Sequence, residues 1–106
     1  NLAHLAQGAH GIVSVVGHVA GRDYADMIAA VDAGDLATAR EIHHRLIPVT
    51  NALMSTSQGA IMAKAALVEL GVIDHATVRL PYVEGPAEHL DVLRKGLAAS
   101  GIGGGA

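Results

Sequence analysis

One short run governs what this chain can fold into. Ile12-Val13-Ser14-Val15-Val16 is β-branched and apolar on both faces, with Gly11 and Gly17 on either side. Such a run reads as a strand covered on both sides, the kind found inside a parallel sheet flanked by helices. A strand of that kind must pair its N–H and C=O groups along both edges. No second run like it occurs in the 106 residues. The chain is therefore part of a larger α/β structure, or else a small helical bundle in which residues 12–16 are simply helix.

The rest reads as helix. Leu2 to Gln7 suits the last turns of one. Tyr24, Met27, Ile28 and Val31 fall at i, i+3, i+4 and i+7, a single apolar stripe. Gly34 suits a C-terminal cap, and Asp35 suits the N-cap of a helix carrying Leu36, Ala39, Ile42, Leu46, Val49 and Leu53. Pro48 removes one N–H from that helix and predicts a kink near residues 45–47. Ser55-Thr56-Ser57-Gln58-Gly59 is a break. Ala63, Ala66, Leu67 and Leu70 mark a third helix that ends at Gly71, and residues 72–84 have no period. Pro86 suits the first position of a last helix, with Glu88 in its first turn and Leu90, Leu93 and Leu97 as its stripe.

Composition removes several function classes. The chain has no cysteine, so disulfide scaffolds, thiol catalysis and cysteine metal sites are excluded. Seven Lys and Arg against ten Asp and Glu give a net charge of −3, which disfavours a nucleic-acid partner. No apolar run approaches the roughly 18 residues that span a bilayer, so a membrane partner is not expected. The first ten residues do not read as a signal peptide, and the chain opens at Asn1 rather than Met, which suggests a fragment or a processed chain.

Side chains able to carry chemistry are few. His43 and His44 are adjacent, so on a helix they point about 100° apart and cannot easily share an ion. No H-x-x-x-H pair occurs and no carboxylate completes a zinc set, so no metal site is expected. Lys64 sits between Ala63 and Ala65 in an apolar helix. A desolvated lysine can act as a nucleophile, but one that snorkels its ammonium to water or to an acceptor is the commoner case. Gly8-Ala9-His10-Gly11 lacks phosphate-loop spacing, and Ser14 has no nucleophile-elbow context.

An ordered set of motifs nonetheless resembles one family. Gly8-Ala9-His10-Gly11-Ile12-Val13-Ser14-Val15 is similar to the last barrel strand of the dihydrodipicolinate synthase (4-hydroxy-tetrahydrodipicolinate synthase) family. Gly34-Asp35, Ala39-Arg40, Leu46-Ile47-Pro48, Asn51, Lys64, Ala65-Ala66-Leu67, Leu70-Gly71 and Arg79-Leu80-Pro81 then follow in family order. The resemblance runs from Leu2 to Gly101, is strongest to the actinobacterial branch, and corresponds to the C-terminal third of the family's chain. The sequence departs from it at Ser57-Gln58-Gly59-Ala60, where many members carry N-P-x-P.

The resemblance implies an α/β fold: the last strand of a (β/α)8 barrel plus a C-terminal helical extension, the fragment itself being mostly α. Such a barrel needs about 250 residues, most of which would lie upstream. The implied domains are residues 1–34 as the end of the barrel, 35–101 as the extension, and 102–106 as a flexible tail.

The implied activity is a pyruvate Schiff-base lyase that condenses pyruvate with aspartate semialdehyde in lysine (diaminopimelate) biosynthesis, cytoplasmic and homotetrameric, with no cofactor. The Schiff-base lysine and the tyrosine relay of the family fall upstream, so no catalytic residue is assigned here, and Lys64 matches a different family lysine. Val13 matches the position whose main chain approaches the pyruvate adduct. His18 falls in the loop after the strand and is a candidate for lining the entrance; a polar cap on the next helix is the competing reading. Leu2 to Gln7 would contribute to a subunit contact through Leu5. Two alternatives stand beside this one: a related aldolase such as N-acetylneuraminate lyase or a keto-deoxy sugar acid aldolase, and a non-catalytic helical interaction module.

Overall fold

A computed structural model describes residues 1–103. It contains six helices: α1 (Leu2–Ala6), α2 (Gly17–Asp32), α3 (Leu36–Arg45), α4 (Ile47–Met54), α5 (Gly59–Glu69) and α6 (Ala87–Ala99). The expected apolar stripes form the core. Tyr24, Met27, Ala39, Leu46, Val49, Leu53, Ala66, Leu93 and Leu97 are all buried. Leu36 opens the α3 stripe but is exposed, because it lies on the first turn, before the helix meets its neighbours.

The ends of the helices follow local chemistry. Asp35 caps α3 by accepting from the Thr38 N–H at 3.1 Å and the Thr38 hydroxyl at 2.7 Å. The hydroxyl contact and then the amide hold the Asp35 carboxyl below its ordinary pKa. Gly34 and Gly71 adopt φ of +78° and +74° just past α2 and α5. In that conformation Asp35 N–H reaches the Ala30 carbonyl and Val72 N–H reaches the Leu67 carbonyl, closing helix ends that would otherwise be left open. Ile102 repeats the pattern on Leu97 and packs partly against the core. Of the expected tail, residues 104–106 lie outside the described residues.

Helix α5 is the central element. Ile61, Met62, Ala63, Ala65 and Ala66 are buried over more than half of its circumference, and it packs against α2, α4 and α6. The interruption expected at Pro48 separates α3 from α4, with Pro48 in the first turn of α4 and Leu46 buried at the junction. Helices α4 and α6 then approach closely at Gly96. A Cβ there would lie 2.6 Å from the Ala52 Cβ and 2.9 Å from the Pro48 carbonyl oxygen. Sequence reading gave this glycine no role, since an isolated glycine inside a helical stripe carries no signal of what it faces.

Two expectations are corrected. Residues 9–14 form neither strand nor helix, and no strand occurs among the described residues. The β-branched composition of 12–16 favours extended backbone, but a ladder needs a second chain segment, and none is present to supply it. The described residues are therefore mostly α, as expected of this part of the chain, with an extended segment where the strand was expected. Leu5, expected at a subunit surface, is instead buried against the core, so Leu5→Glu would disrupt this fold before it tested any assembly.

Replacing a mid-helix glycine by alanine ordinarily stabilises by about 1 kcal/mol. At Gly96 the sign should reverse. Both obstacles are short or backbone atoms that cannot swing aside, and overpacking of this kind costs about 1–3 kcal/mol. Urea denaturation of the Gly96→Ala protein should show a lower midpoint; an equal or higher one would mean that α4 and α6 separate freely.

Candidate functional site

The extended segment leading into α2 is where the sequence placed the candidate residues. Val16 is buried at 3% exposure and anchors the segment to the helices, whereas Val13 is fully exposed at 107%. The contrast follows from position: Val16 already has helical angles (φ −64°, ψ −24°) where the chain turns into α2 and the core, whereas Val13 lies in the extended part that packs against nothing on its side. Ser14 accepts the Gly17 N–H at 3.1 Å, satisfying one of the free donors at the start of α2. His18 Nδ1 lies 2.8 Å from the Val15 carbonyl oxygen. A carbonyl can only accept, so Nδ1 carries the proton and Nε2 of the neutral ring is left as an acceptor.

Two clefts flank the segment. On one side Ile12, Ser14 and His18 face Gly17, Gly21 and Ala25 of α2 around a volume of about 370 Å³. On the other, residues 13–16 face Tyr24, Thr50 of α4 and Met54 around a similar volume. The structure thus places Val13 in the segment and His18 not in a loop but in the first turn of α2, lining different clefts. The part played by Thr50 and Met54 was not read from sequence; both sit on α4, more than thirty residues from the segment, and only the packing of α4 brings them there.

The remaining histidines do not join this site. His43 and His44 stand with ring centroids 5.5 Å apart and planes tilted by 54°. Burial, and then the neighbouring His44, lower the pKa of His43, which lines a smaller cleft of about 110 Å³ with Tyr24, Thr50 and Asn51. His89 Nδ1 lies 2.6 Å from the Ser57 hydroxyl and ties α6 to the break before α5. Among the described residues no three His, Asp or Glu side chains are grouped to hold a metal ion. Lys64 is exposed, and its ammonium donates to the Thr77 carbonyl at 2.8 Å, pinning the connection between α5 and α6. Its role here is structural, as the snorkelling reading has it. No helix of the described residues is long and apolar enough to cross a membrane.

Lowering the pKa of His43 fixes the sign of a pH effect. Between its folded value and the ordinary 6.5, the unfolded chain binds more protons than the folded one, so stability rises with pH. The contribution is complete above 6.5 and is lost as the pH falls below it. Urea midpoints taken at about pH 7.5 and about pH 5.5 should therefore fall further for the parent than for His43→Gln. Equal losses would show that His43 titrates no differently in the fold.

Comparison with known proteins gives this geometry a context. The profile of the dihydrodipicolinate synthetase family matches residues 1–100. A 4-hydroxy-tetrahydrodipicolinate synthase of Kineococcus radiotolerans is 53% identical over 102 residues, covering 96% of this chain and 33% of that protein. The protein of the same name from Bifidobacterium longum is 42% identical over 101 residues, covering 95% and 34%. Among solved structures, a monomeric dihydrodipicolinate synthase variant superposes with a TM-score of 0.87 at 34% identity, over 95% of this chain and 33% of that one. Dihydrodipicolinate synthase of Thermotoga maritima gives the same score and identity over 94% and 33%. The chain spans about a third of the length of the curated relatives it matches.

Proposed function

This chain belongs to the dihydrodipicolinate synthetase family, and from that premise we propose that it is the C-terminal part of a lyase condensing pyruvate with aspartate semialdehyde through a lysine Schiff base, on the route to diaminopimelate and lysine. Residues 12–16 are then the last strand of a (β/α)8 barrel, α2 is the helix that follows it, and α3 to α6 are the helical extension. The whole enzyme works in the cytoplasm as a homotetramer, without a cofactor.

The observation that carries the reading is the extended segment itself. It is β-branched, holds its shape through Val16, Ser14 and His18, and leaves Val13 wholly uncovered, with no partner for its backbone among the described residues. That is the condition of a strand whose neighbours belong to another part of the chain. A helical interaction module would have no use for such a segment. The curated relatives that match bear the synthase name, which favours this substrate pair over those of the related aldolases.

Chemically, residues 12–16 offer no acid, base or nucleophile. Their contribution is positional: the Val13 main chain lies against the pyruvate adduct, and His18, in the first turn of α2, stands just past the C-terminal end of the strand, the face on which barrels of this type react. The lysine that attacks pyruvate and the tyrosine that relays its proton belong to the upstream part, so residues 1–106 alone should catalyse no condensation.

Borohydride reduction in the presence of pyruvate tests the whole. The full-length protein should acquire a covalent adduct, seen by mass spectrometry, and the 106-residue chain should not. Val13→Ala keeps the backbone and should still trap pyruvate, at a stability cost of about 1–3 kcal/mol once the position is covered. Val13→Pro removes a ladder N–H and should trap far less. A full-length protein that never forms the adduct would sink the proposal.

A further inference from the structure

The cleft on the α4 side of the extended segment has an opening of its own. Val15 lies at the C-terminal end of the segment, and the turn between α4 and α5 comes over it. A Cβ placed on Gly59 would lie 3.4 and 3.5 Å from the two Val15 methyl groups and 3.7 Å from Met54 Sδ. Val15, Met54 and Gly59 thus converge on one point, and Val15 and Met54 go on to line, with Val13 and Thr50, a cleft of about 370 Å³. We infer that this turn is the rim of the substrate cavity, and that Met54 and Gly59 set which aldehyde reaches the pyruvate adduct. The inference rests on the lyase reading above and adds a specificity role for the extension.

The character of the rim follows from its atoms. Met54 and Val15 are apolar, Gly59 presents no side chain, and the polar side chains of the cleft (Asn1, Ser14, Tyr24 and half-buried Thr50) are amide and hydroxyl groups rather than carboxylates or cations. Ligand cavities orient their contents with a few placed polar groups and shape the rest with apolar ones. A rim of this composition selects by size rather than by charge. Met54 is 52% exposed and so is not held by the core. An unbranched thioether in that setting adapts to what passes it. Gly59 leaves open the space its Cβ would fill, at ordinary contact distance from both neighbours. The rim is therefore as wide as this backbone permits on that side.

Two substitutions in the full-length protein act on the opening in opposite senses. Gly59→Leu projects a side chain toward Val15 and Met54, and Met54→Ala removes one from the surface without touching the core. Gly59→Leu should raise the KM for aspartate semialdehyde by about tenfold, while pyruvate trapping by borohydride stays within about twofold of the parent. Met54→Ala should shift kcat/KM by about tenfold toward an aldehyde one methylene longer. If Gly59→Leu fails to fold, Met54→Ala alone decides. Folded variants that trap pyruvate and keep the parent's aldehyde KM and size preference would overturn the rim. A parent protein that traps no pyruvate would overturn the lyase reading, and the rim with it.

Discussion

The helical part depends on how one interruption is repaired. Pro48 ends the ladder of α3, and the first amides of α4 lose their intrahelical acceptors. Ser100, at the end of α6 and fully buried, accepts the Val49 N–H at 3.1 Å. Its carbonyl accepts from Arg45 Nη1 at 3.3 Å, and Nη2 of the same guanidinium bonds Asp23 on α2. Four helices thus meet through four residues, one from each: Asp23, Arg45, Val49 and Ser100. The Arg45–Asp23 pair is partly exposed and contributes modestly. The buried serine matters more, because without its oxygen the Val49 amide would have no partner, a loss of about 1–3 kcal/mol. The close pass of α4 over Gly96 is possible only in this arrangement, where Ser100 sits one turn beyond the contact.

The extended segment obeys the opposite logic. Its amides and carbonyls lie at the surface, where water satisfies them at little cost, so nothing forces residues 9–14 into regular structure. What fixes their course is the far end, where Val16 is buried and the Ser14 and His18 contacts turn the chain into α2. Ala20, just inside α2, departs from helical angles (φ −131°, ψ 26°), so the first turn is offset from the body of the helix. The segment is thus aimed by the helices and left unpaired along its length.

Legibility in the sequence followed the range of each interaction. The stripes of α2, α3, α4 and α6, the Asp35 cap, the Gly34 and Gly71 turns and the interruption at Pro48 all arise within a few residues, and each was readable. In α5 the burial centres on Ile61, Met62 and Ala65 rather than on Leu67 and Leu70, because three helices cover it from different sides. Pro86 came out as the N-cap of α6 rather than its first residue, a shift of one position in a local signal. Gly96, Ser100 and Arg45 were silent, because their meaning lies in partners half a chain away. The segment at 12–16 falls between these cases. Its extended character is local and was legible, whereas the strand needs a ladder that these residues cannot make among themselves. Val13 and His18 could be singled out by resemblance; Thr50, Met54 and Gly59 could not, since only the folding of α4 back toward the segment brings them together.

Core and cleft are not separable in this arrangement. Tyr24 is buried in the core and lines the clefts on both sides of the segment, and Val16 anchors the segment in the same core. Helix α4 carries Val49 and Leu53 inward and Thr50 and Met54 toward the cleft, as a 3.6-residue repeat requires of neighbouring positions. A shift of α4 along its axis would therefore move both sets at once. Ser100 fixes α4 at its first turn, through Val49, and the rise of the helix, about 1.5 Å per residue, carries Met54 to its place at the other end. The buried hydroxyl that repairs the break at Pro48 thereby also sets where α4 meets the extended segment, and the shape of the opening beside Val15 is determined from the end of α6.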